Sequence, residues 1–502
     1  MRRLFRARML ARRAVLAVAV AATLTVAPLG GTLASSAVPA AHSVSAAKPG
    51  LVGASITLAN KVSFDGDSRA YSIAADKSGK TYVAWISSDL TTSAGRQVHL
   101  CTLLLHATSC KGGIQTINLT DASTSAGLRL LVTPGGAVTI VWYHTSASGG
   151  EIAEATSQSG GPLSAEHDVA SAPTNGFLLD AELAHDGSVW TVAAPSSGST
   201  LAVRAGVTNP PTTVKTPYYV GYAQLAFAGS TPILAITKNA AVSQAAAFSY
   251  RRGGSWTSFK NVAGTGTAGQ NVGLVDTPSG VRLITDIGDA GYTPVVAKWD
   301  GHGFSHRRPT GDTCVLGAHD AATDSSGRLV DVSSECSKIS VSNFGAGTHA
   351  AILRFAPQGF PAGGEPQIAT VPRGYAWVAW STQANPSAPT QGDKLKVALV
   401  LLPGVHRQVS HRGRHGTVTV TGPASCLPAD SISVGVKGHP KHRWRVASHR
   451  LTLGHKKLHS SLNGASLTPG KVYSLKGTVV FKAGSSHETV SATLRFRACP
   501  TP

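Results

Sequence analysis

The feature that most narrows the possible folds is a unit that recurs seven times: an apolar strand, a tight turn containing Gly, and a second apolar strand. It runs as "SIAADKSGKTYVAW", "LRLLVTPGGAVTIVW", "AELAHDGSVWTVAA", "QLAFAGSTPILAI", "VGLVDTPSGVRLIT", "HDAATDSSGRLVDV" and "PQIATVPRGYAWVAW". The turn glycines, Gly79, Gly136, Gly187, Gly229, Gly280, Gly327 and Gly374, are separated by 57, 51, 42, 51, 47 and 47 residues. A unit this short cannot bury its own apolar faces, so neighbours have to stack, and a closed stack leaves no open sheet edge. Each interval has room for a second strand pair, clearest in "AFSYRRGGSWTSFKNV" and "VVAKWDGHGFSHRR", where Gly-rich turns separate aromatic-bearing strands. Four strands in a repeat of about 40–50 residues is the pattern of a β-propeller blade. The expectation is an all-β chain with a seven-bladed β-propeller over residues 52–405, in which "ASITLANKV" completes the last blade. Six residues after the turn glycine stand Trp85, Trp142 and Trp380 in three units, and Ala193 and Ala235 in two others. Such regular positions belong to packing between blades.

Charge divides the chain at about residue 405. Residues 48–405 hold 24 Lys or Arg against 23 acids, whereas residues 406–502 hold fifteen against two, Asp430 and Glu488. Within that tail "HPKHRWRVASHRLTLGHKKLHSS" contains six Lys or Arg, five His, one Trp and no carboxylate. The segments "GTVTVTG", "SISVGVKG", "RWRVASHRLTL", "KVYSLKGTVVFKAG" and "ETVSATLRFRAC" predict a small immunoglobulin-like β-sandwich over residues 406–502. Lys441, Arg443, Arg445, Arg450, Lys456 and Lys457 are its candidate contacts to an anionic surface, since long-range attraction needs no exact geometry. A merely solvated face is the alternative. The pairs His439/His442 and His455/His459 have zinc-like spacing, but such spacings do not share one face of a strand and no Cys or carboxylate completes a set. No metal is expected, and with no nucleic-acid-binding fold in view no nucleic acid is expected either.

The first 47 residues read as an export signal: six Arg, an apolar run from Ala14 to about Pro28, then small residues. That run falls short of the roughly 20 residues that span a bilayer, no later segment is apolar enough to do so, and no Cys follows to accept a lipid. A secreted protein, extracellular or associated with the cell envelope, is expected. Six cysteines in an exported chain are expected to pair. Of the fifteen possible connectivities, order along the chain points to Cys101–Cys110, Cys314–Cys336 and Cys426–Cys499.

The seven units, the segment "VHLCTLLLHATSC" and the closing "SLTPGKVYSLKGTVVFKAGSSHETVSATLRFRAC" resemble a family of exported actinobacterial proteins that join a sialidase-like or related propeller to a small C-terminal Ig-like domain. The resemblance spans nearly the whole chain after the signal and implies architecture, whereas fold alone does not fix activity. Its enzymatic branch would be a sialidase, with an arginine triad, a Tyr partnered by Glu, an acid/base Asp, and repeated boxes of the form Ser-x-Asp-x-Gly-x-Thr-Trp. No such box is intact here. Asp76 and Asp324 stand three residues before a turn Gly, in a different turn, and only Arg69 and Arg129 lie just upstream of blade turns.

A glycoside hydrolase of another kind needs two carboxyl groups across one bond. The carboxylates nearest the expected axis are Asp67, Asp180, Glu182, Asp320 and Glu365. A polar mouth to the channel is expected from Asp67, Arg69, Arg129, Asp180, Gln224, Asn271, His319, Asp320 and Gln367, which are the candidate ligand-binding residues. Gly-x-Ser-x-Gly and His-Glu-x-x-His are absent, and no Cys is spare once all six pair, so no catalytic residue and no cofactor is assigned. The sequence reads as a secreted, non-catalytic binding protein. Its propeller mouth or rim recognises a glycan or a protein, and its basic domain docks on an anionic envelope or extracellular polymer. A sialidase-like glycoside hydrolase and a structural envelope scaffold are the alternatives.

Overall fold

The computed structural model describes residues 51–498 apart from 64–69, 90–94, 120–124, 147–148, 159–160, 207–208, 239–245, 263–267, 288–292, 310–318, 325–326, 336–337, 345–350, 361–364, 373, 383–392, 403–405, 424–425, 428–430 and 469–470. The export signal therefore lies outside the described residues, as do Asp67, Arg69, Cys314, Cys336 and Cys499. Among the described residues no helix is long and apolar enough to cross a membrane.

Strands dominate throughout. Between Ile56 and Leu401 they form successive antiparallel groups, of which Tyr71–Ala75, Thr81–Asp89, Arg96–Leu103 and Ile114–Asn118 are the first. The innermost strands are Tyr71–Ala75, Ser125–Val132, Gly176–Leu183, Val220–Ala228, Ala268–Val275, His319–Thr323 and Gln367–Val371. Each packs against the next and the last returns to the first, so the sheets stand in a ring around one axis: a β-propeller. All seven turn glycines have positive φ, from 61° at Gly229 to 102° at Gly280, a conformation in which a β-carbon is strained. Asp76 and Asp324 belong to these turns. The Asp76 carboxylate accepts the N–H groups of Ser78 (2.8 Å) and Lys80 (3.0 Å), and that of Asp324 accepts the N–H of Arg328 (2.9 Å).

Alternation along each strand buries both faces of the sheets. In Thr81–Asp89, Val83 and Trp85 pack with Trp377, Ala379 and Val397 on one side, while Tyr82, Ala84 and Ile86 pack with Leu128, Leu130 and Trp142 on the other. Trp85, Trp142 and Trp380 are at most 1% exposed, which makes them core residues, as their period requires. The N-terminal strand Ile56–Ser63 pairs with Asp393–Leu401 and so completes the sheet that holds Trp380; Val62 and Ser63 also pair with Asp89 and Ser88 of the first group. In the fourth group the outer edge is split into Ser255–Trp256 and Lys260–Asn261, both paired with Ala247–Arg252. The tight Gly253–Gly254 turn returns the chain at once, and Thr257 Oγ1 then accepts the Tyr250 N–H, at 3.2 Å. The Cys101–Cys110 disulfide forms as expected, but Cys110 lies in the loop before Ile114–Asn118, so the bridge ties a strand to its connection and does not cross a hairpin.

Residues 406–498 build their own sheets. His406–Arg412, Gly416–Pro423 and Gly435–Pro440 form one; Cys426–Leu427, Ser486–Ala498, Val472–Ala483, Arg445–Leu453 and Lys456–Leu458 form another, in that spatial order. They enclose Val418, Val420, Leu451, Leu475, Val479, Phe481 and Leu494, giving a β-sandwich. Cys426 pairs in parallel with Arg497, at the end of the chain where the sequence places Cys499. The sheets approach closely where glycine stands: a β-carbon on Gly477 would lie 2.4 Å from Val420 Cγ2 and 2.7 Å from Val436 Cγ2. Replacing Gly477 by Ala is expected to destabilise the sandwich by about 1–3 kcal/mol through overpacking. Urea unfolding checks this, and adding Val420→Ala should recover part of the loss.

Candidate functional site

Each innermost strand has a strand beside it on one edge only, so the N–H and C=O groups of its other edge need partners from elsewhere. Side chains of the neighbouring innermost strand supply them. Ser72 Oγ accepts the Leu130 N–H at 3.2 Å. Arg129 donates to the Leu179 carbonyl through Nη2 at 2.6 Å and to Asp180 Oδ1 through Nε at 2.9 Å. Asp180 Oδ2 accepts the Leu225 N–H at 2.7 Å, Gln224 Oε1 the Leu274 N–H at 2.5 Å, and Asp320 Oδ2 the Ile368 N–H at 2.8 Å. Gln367 Nε2 closes the circle on the Tyr71 carbonyl at 2.7 Å. Between the fifth and sixth strands the corresponding position is Gly273, which has no side chain to offer; a β-carbon there would meet Ile284 Cγ2 at 2.5 Å.

These strands surround a cavity of about 280 Å³, near the small end of the usual range for ligand sites. Arg129, Asp180, Gln224, His319, Asp320 and Gln367 all line it, so six of the nine mouth residues expected from sequence come together. Asn271 lies in the strand Ala268–Val275, while Asp67 and Arg69 fall outside the described residues. The polar ends of Arg129, Asp180, Gln224, Asp320 and Gln367 are engaged on the neighbouring strand. His319 Nδ1 lies 3.0 Å from Asp331 Oδ1, with both side chains buried.

The acids of the cavity are unusual. Burial, reinforced by the Asp180 charge, pushes Glu182 up to about 8, so it carries its proton at neutral pH. Burial also pushes Asp320 up to about 7, only partly offset by the Ile368 N–H and Arg129, and raises Asp180 despite its ion pair with Arg129. Glu365 Oε1 accepts the Tyr222 O–H at 2.7 Å, linking the fourth innermost strand to the approach to the seventh. Tyr222 is not apparent from sequence. A bulge between Val220 and Tyr222 breaks the register of its strand, and nothing in the local residue pattern announces that bulge.

A second polar group lies in the second sheet. His144, Glu151 and Asp168, on three adjacent strands, offer ligand atoms within 4.8 Å of one another and could hold a metal ion. His144 Nε2 lies 2.7 Å from Asp168 and 3.6 Å from Glu151, an arrangement that a shared proton also satisfies. The trio is scattered along the sequence, which hides it from a search by spacing.

In the basic segment all six expected cations are exposed. Lys441 Nζ donates to the Arg414 carbonyl at 2.6 Å, Arg443 sits in a turn with φ of 68°, Arg445 and Arg450 lie in Arg445–Leu453, and Lys456 and Lys457 begin the next strand. Glu488 accepts the N–H groups of Arg414 and His415, at 2.8 and 2.7 Å.

No protein-family model matches the chain, and no curated protein matches it by sequence. Among solved structures it is similar to the WD40 domain of coronin from Toxoplasma gondii, with TM-score 0.46, 12% identity, and 71% of this chain and 86% of that one covered. It is also similar to the alpha-L-arabinanase of Penicillium chrysogenum (TM-score 0.38, 10% identity, 68% and 98% covered) and to AofleA from Arthrobotrys oligospora (TM-score 0.37, 9% identity, 60% and 88% covered).

Two outcomes follow from the ring. Arg129→Ala leaves Asp180 buried without its cation and is expected to cost about 3–5 kcal/mol, against about 1–3 kcal/mol for Gln224→Leu, which orphans one N–H. Chemical denaturation measures both. Because the folded state holds the Glu182 proton up to about pH 8 while the unfolded chain releases it near 4.5, this group's contribution to stability falls as pH rises across that window. Glu182→Gln should therefore stabilise the protein at pH 8, with the advantage vanishing below about pH 4.5.

Proposed function

We propose that this is an exported, non-catalytic binding protein: a seven-bladed propeller whose mouth or rim recognises a glycan or a protein, joined to a small immunoglobulin-like domain that docks on an anionic polymer. The observation that carries the docking half is the confinement of the charge. Residues 406–502 hold fifteen Lys or Arg against two acids, and the Glu488 carboxylate is already engaged by two backbone N–H groups. The mouth supports recognition more than catalysis, because bonds to the neighbouring strands already hold its polar side chains in fixed positions and leave a rigid polar lining. Cys314–Cys336 and Cys426–Cys499 complete the proposed disulfides, and the N-terminal 47 residues are the proposed export signal.

One observation favours the hydrolase alternative. The Tyr222–Glu365 hydrogen bond places a phenol with a carboxylate partner in the cavity, which Glu182 also lines. Against it, Arg129 is the one arginine among the described lining residues, and it is spent on Asp180 and on backbone carbonyls. Turnover of a chromogenic sialoside that Tyr222→Phe abolishes would establish the enzyme.

The binding reading is tested by titrating the full chain with a soluble anionic polymer. Raising salt from about 0.01 M to about 0.15 M shortens the screening length from about 30 Å to about 8 Å, so affinity is expected to fall by on the order of tenfold or more. Absence of binding, or affinity indifferent to salt, overturns the docking function.

A further inference from the structure

We infer that the docking surface is the outer face of the five-stranded sheet of the sandwich, and that its partner is a linear anionic polysaccharide; this rests on the polyanion reading above. Along Val472–Ala483 the inward residues are Leu475, Gly477, Val479 and Phe481, all buried, so Ser474, Lys476, Thr478, Val480 and Lys482 point outward. Register carries that face across the sheet. Lys476 is flanked by Thr452 and Thr493, Thr478 by Arg450 and Ser491, Val480 by Ser448 and Thr489, and Lys482 by Arg445 and His487. Arg495 stands opposite Ser474, and Lys457 opposite Thr452. Among the residues whose side chains are described, six cations, Arg445, Arg450, Lys457, Lys476, Lys482 and Arg495, therefore share one face, and no Asp or Glu occupies any of these positions. All are exposed except Lys482, which is half-buried.

The surface differs from the linear run of basic residues. Of the cations within residues 439–461, Arg445, Arg450 and Lys457 belong to it, whereas Lys441 and Arg443 lie at the turn before the sheet and Lys456 pairs with the inward-facing Leu453. Lys476, Lys482 and Arg495 join from two strands further along the chain. The other outer face, on the three-stranded sheet, carries Arg412 and Lys437 among Thr417, Thr419 and Ser410.

The partner follows from what lies between the cations. Rows are about 7 Å apart along the strands, with about 4.8 Å between strands, and the intervening positions carry the hydroxyls of Ser448, Thr452, Thr478, Thr489, Ser491 and Thr493. Thr478 and Ser491 are 2.9 Å apart, so neighbouring hydroxyls already meet across the sheet. Cations spaced by hydroxyls match a chain in which anionic groups alternate with sugar hydroxyls. A bilayer would call instead for aromatic or long apolar side chains to enter it, and the apolar residues of this face are Val472 and Val480.

The test compares two variants of the full chain with equal loss of charge. Arg450→Gln, Lys476→Gln and Arg495→Gln together clear the centre of the face; Arg412→Gln, Arg414→Gln and Lys437→Gln remove three cations elsewhere. Binding is measured to polygalacturonate, to neutral dextran, and to phosphatidylcholine–phosphatidylserine vesicles, with thermal melting as the check that both variants fold. The face variant is expected to lose at least about tenfold in affinity for polygalacturonate, and the matched variant less than about threefold. Equal losses overturn the assignment to this face while leaving polyanion docking intact. Vesicle binding as tight as polygalacturonate binding overturns the polysaccharide, and failure of the parent chain to bind polygalacturonate or vesicles overturns the docking function itself.

Discussion

In a closed ring of sheets every innermost strand has one edge with no strand beside it, and the N–H groups on that edge must find acceptors or forfeit their hydrogen bonds on burial. This protein meets the demand with side chains. Ser72, Asp180, Gln224 and Asp320 each accept from the backbone of the next strand, and Arg129 and Gln367 donate to it. The mouth is thus polar first for a structural reason. Burial of Asp180 and Asp320 is costly enough that both carboxyls are raised, even with Arg129 and backbone donors nearby, so the ring retains these acids against a steady electrostatic cost.

The periodic part of this plan is legible in the sequence. Turn glycines need positive φ, sheets buried on both faces need apolar residues at successive positions, and both demands leave local marks. Residue identity also marks the mouth: a polar side chain such as Gln224 or Gln367 inside an apolar inner strand stands out. What it bonds to does not, because the partner is a backbone group some 50 to 300 residues away in the chain. Tyr222 and its bond to Glu365 depend on a bulge, a matter of register between strands that one strand's residues do not specify.

The basic sandwich shows the same division. A dense run from residue 439 to 461 draws attention by composition, whereas Lys476 and Lys482 are diluted by the core residues that alternate with them. Pairing restores them to one surface. Behind that surface Gly416, Gly422, Gly438 and Gly477 let the two sheets come close, next to Phe481, Leu475, Val479 and Val420. Small residues inside and cations outside are two sides of one arrangement.

The pairing of Ile56–Ser63 with Asp393–Leu401 also sets the order of events in time. The strand that enters the ring first by synthesis is among the last to find its place, because its partner is made only after nearly all of the propeller. Until then its backbone groups, and the edge it will cover, are open to other chains, and closure must overcome the entropy of joining two distant ends. The final pairing makes this molecule a finished object only when the whole propeller exists: a partial chain has blades but no ring.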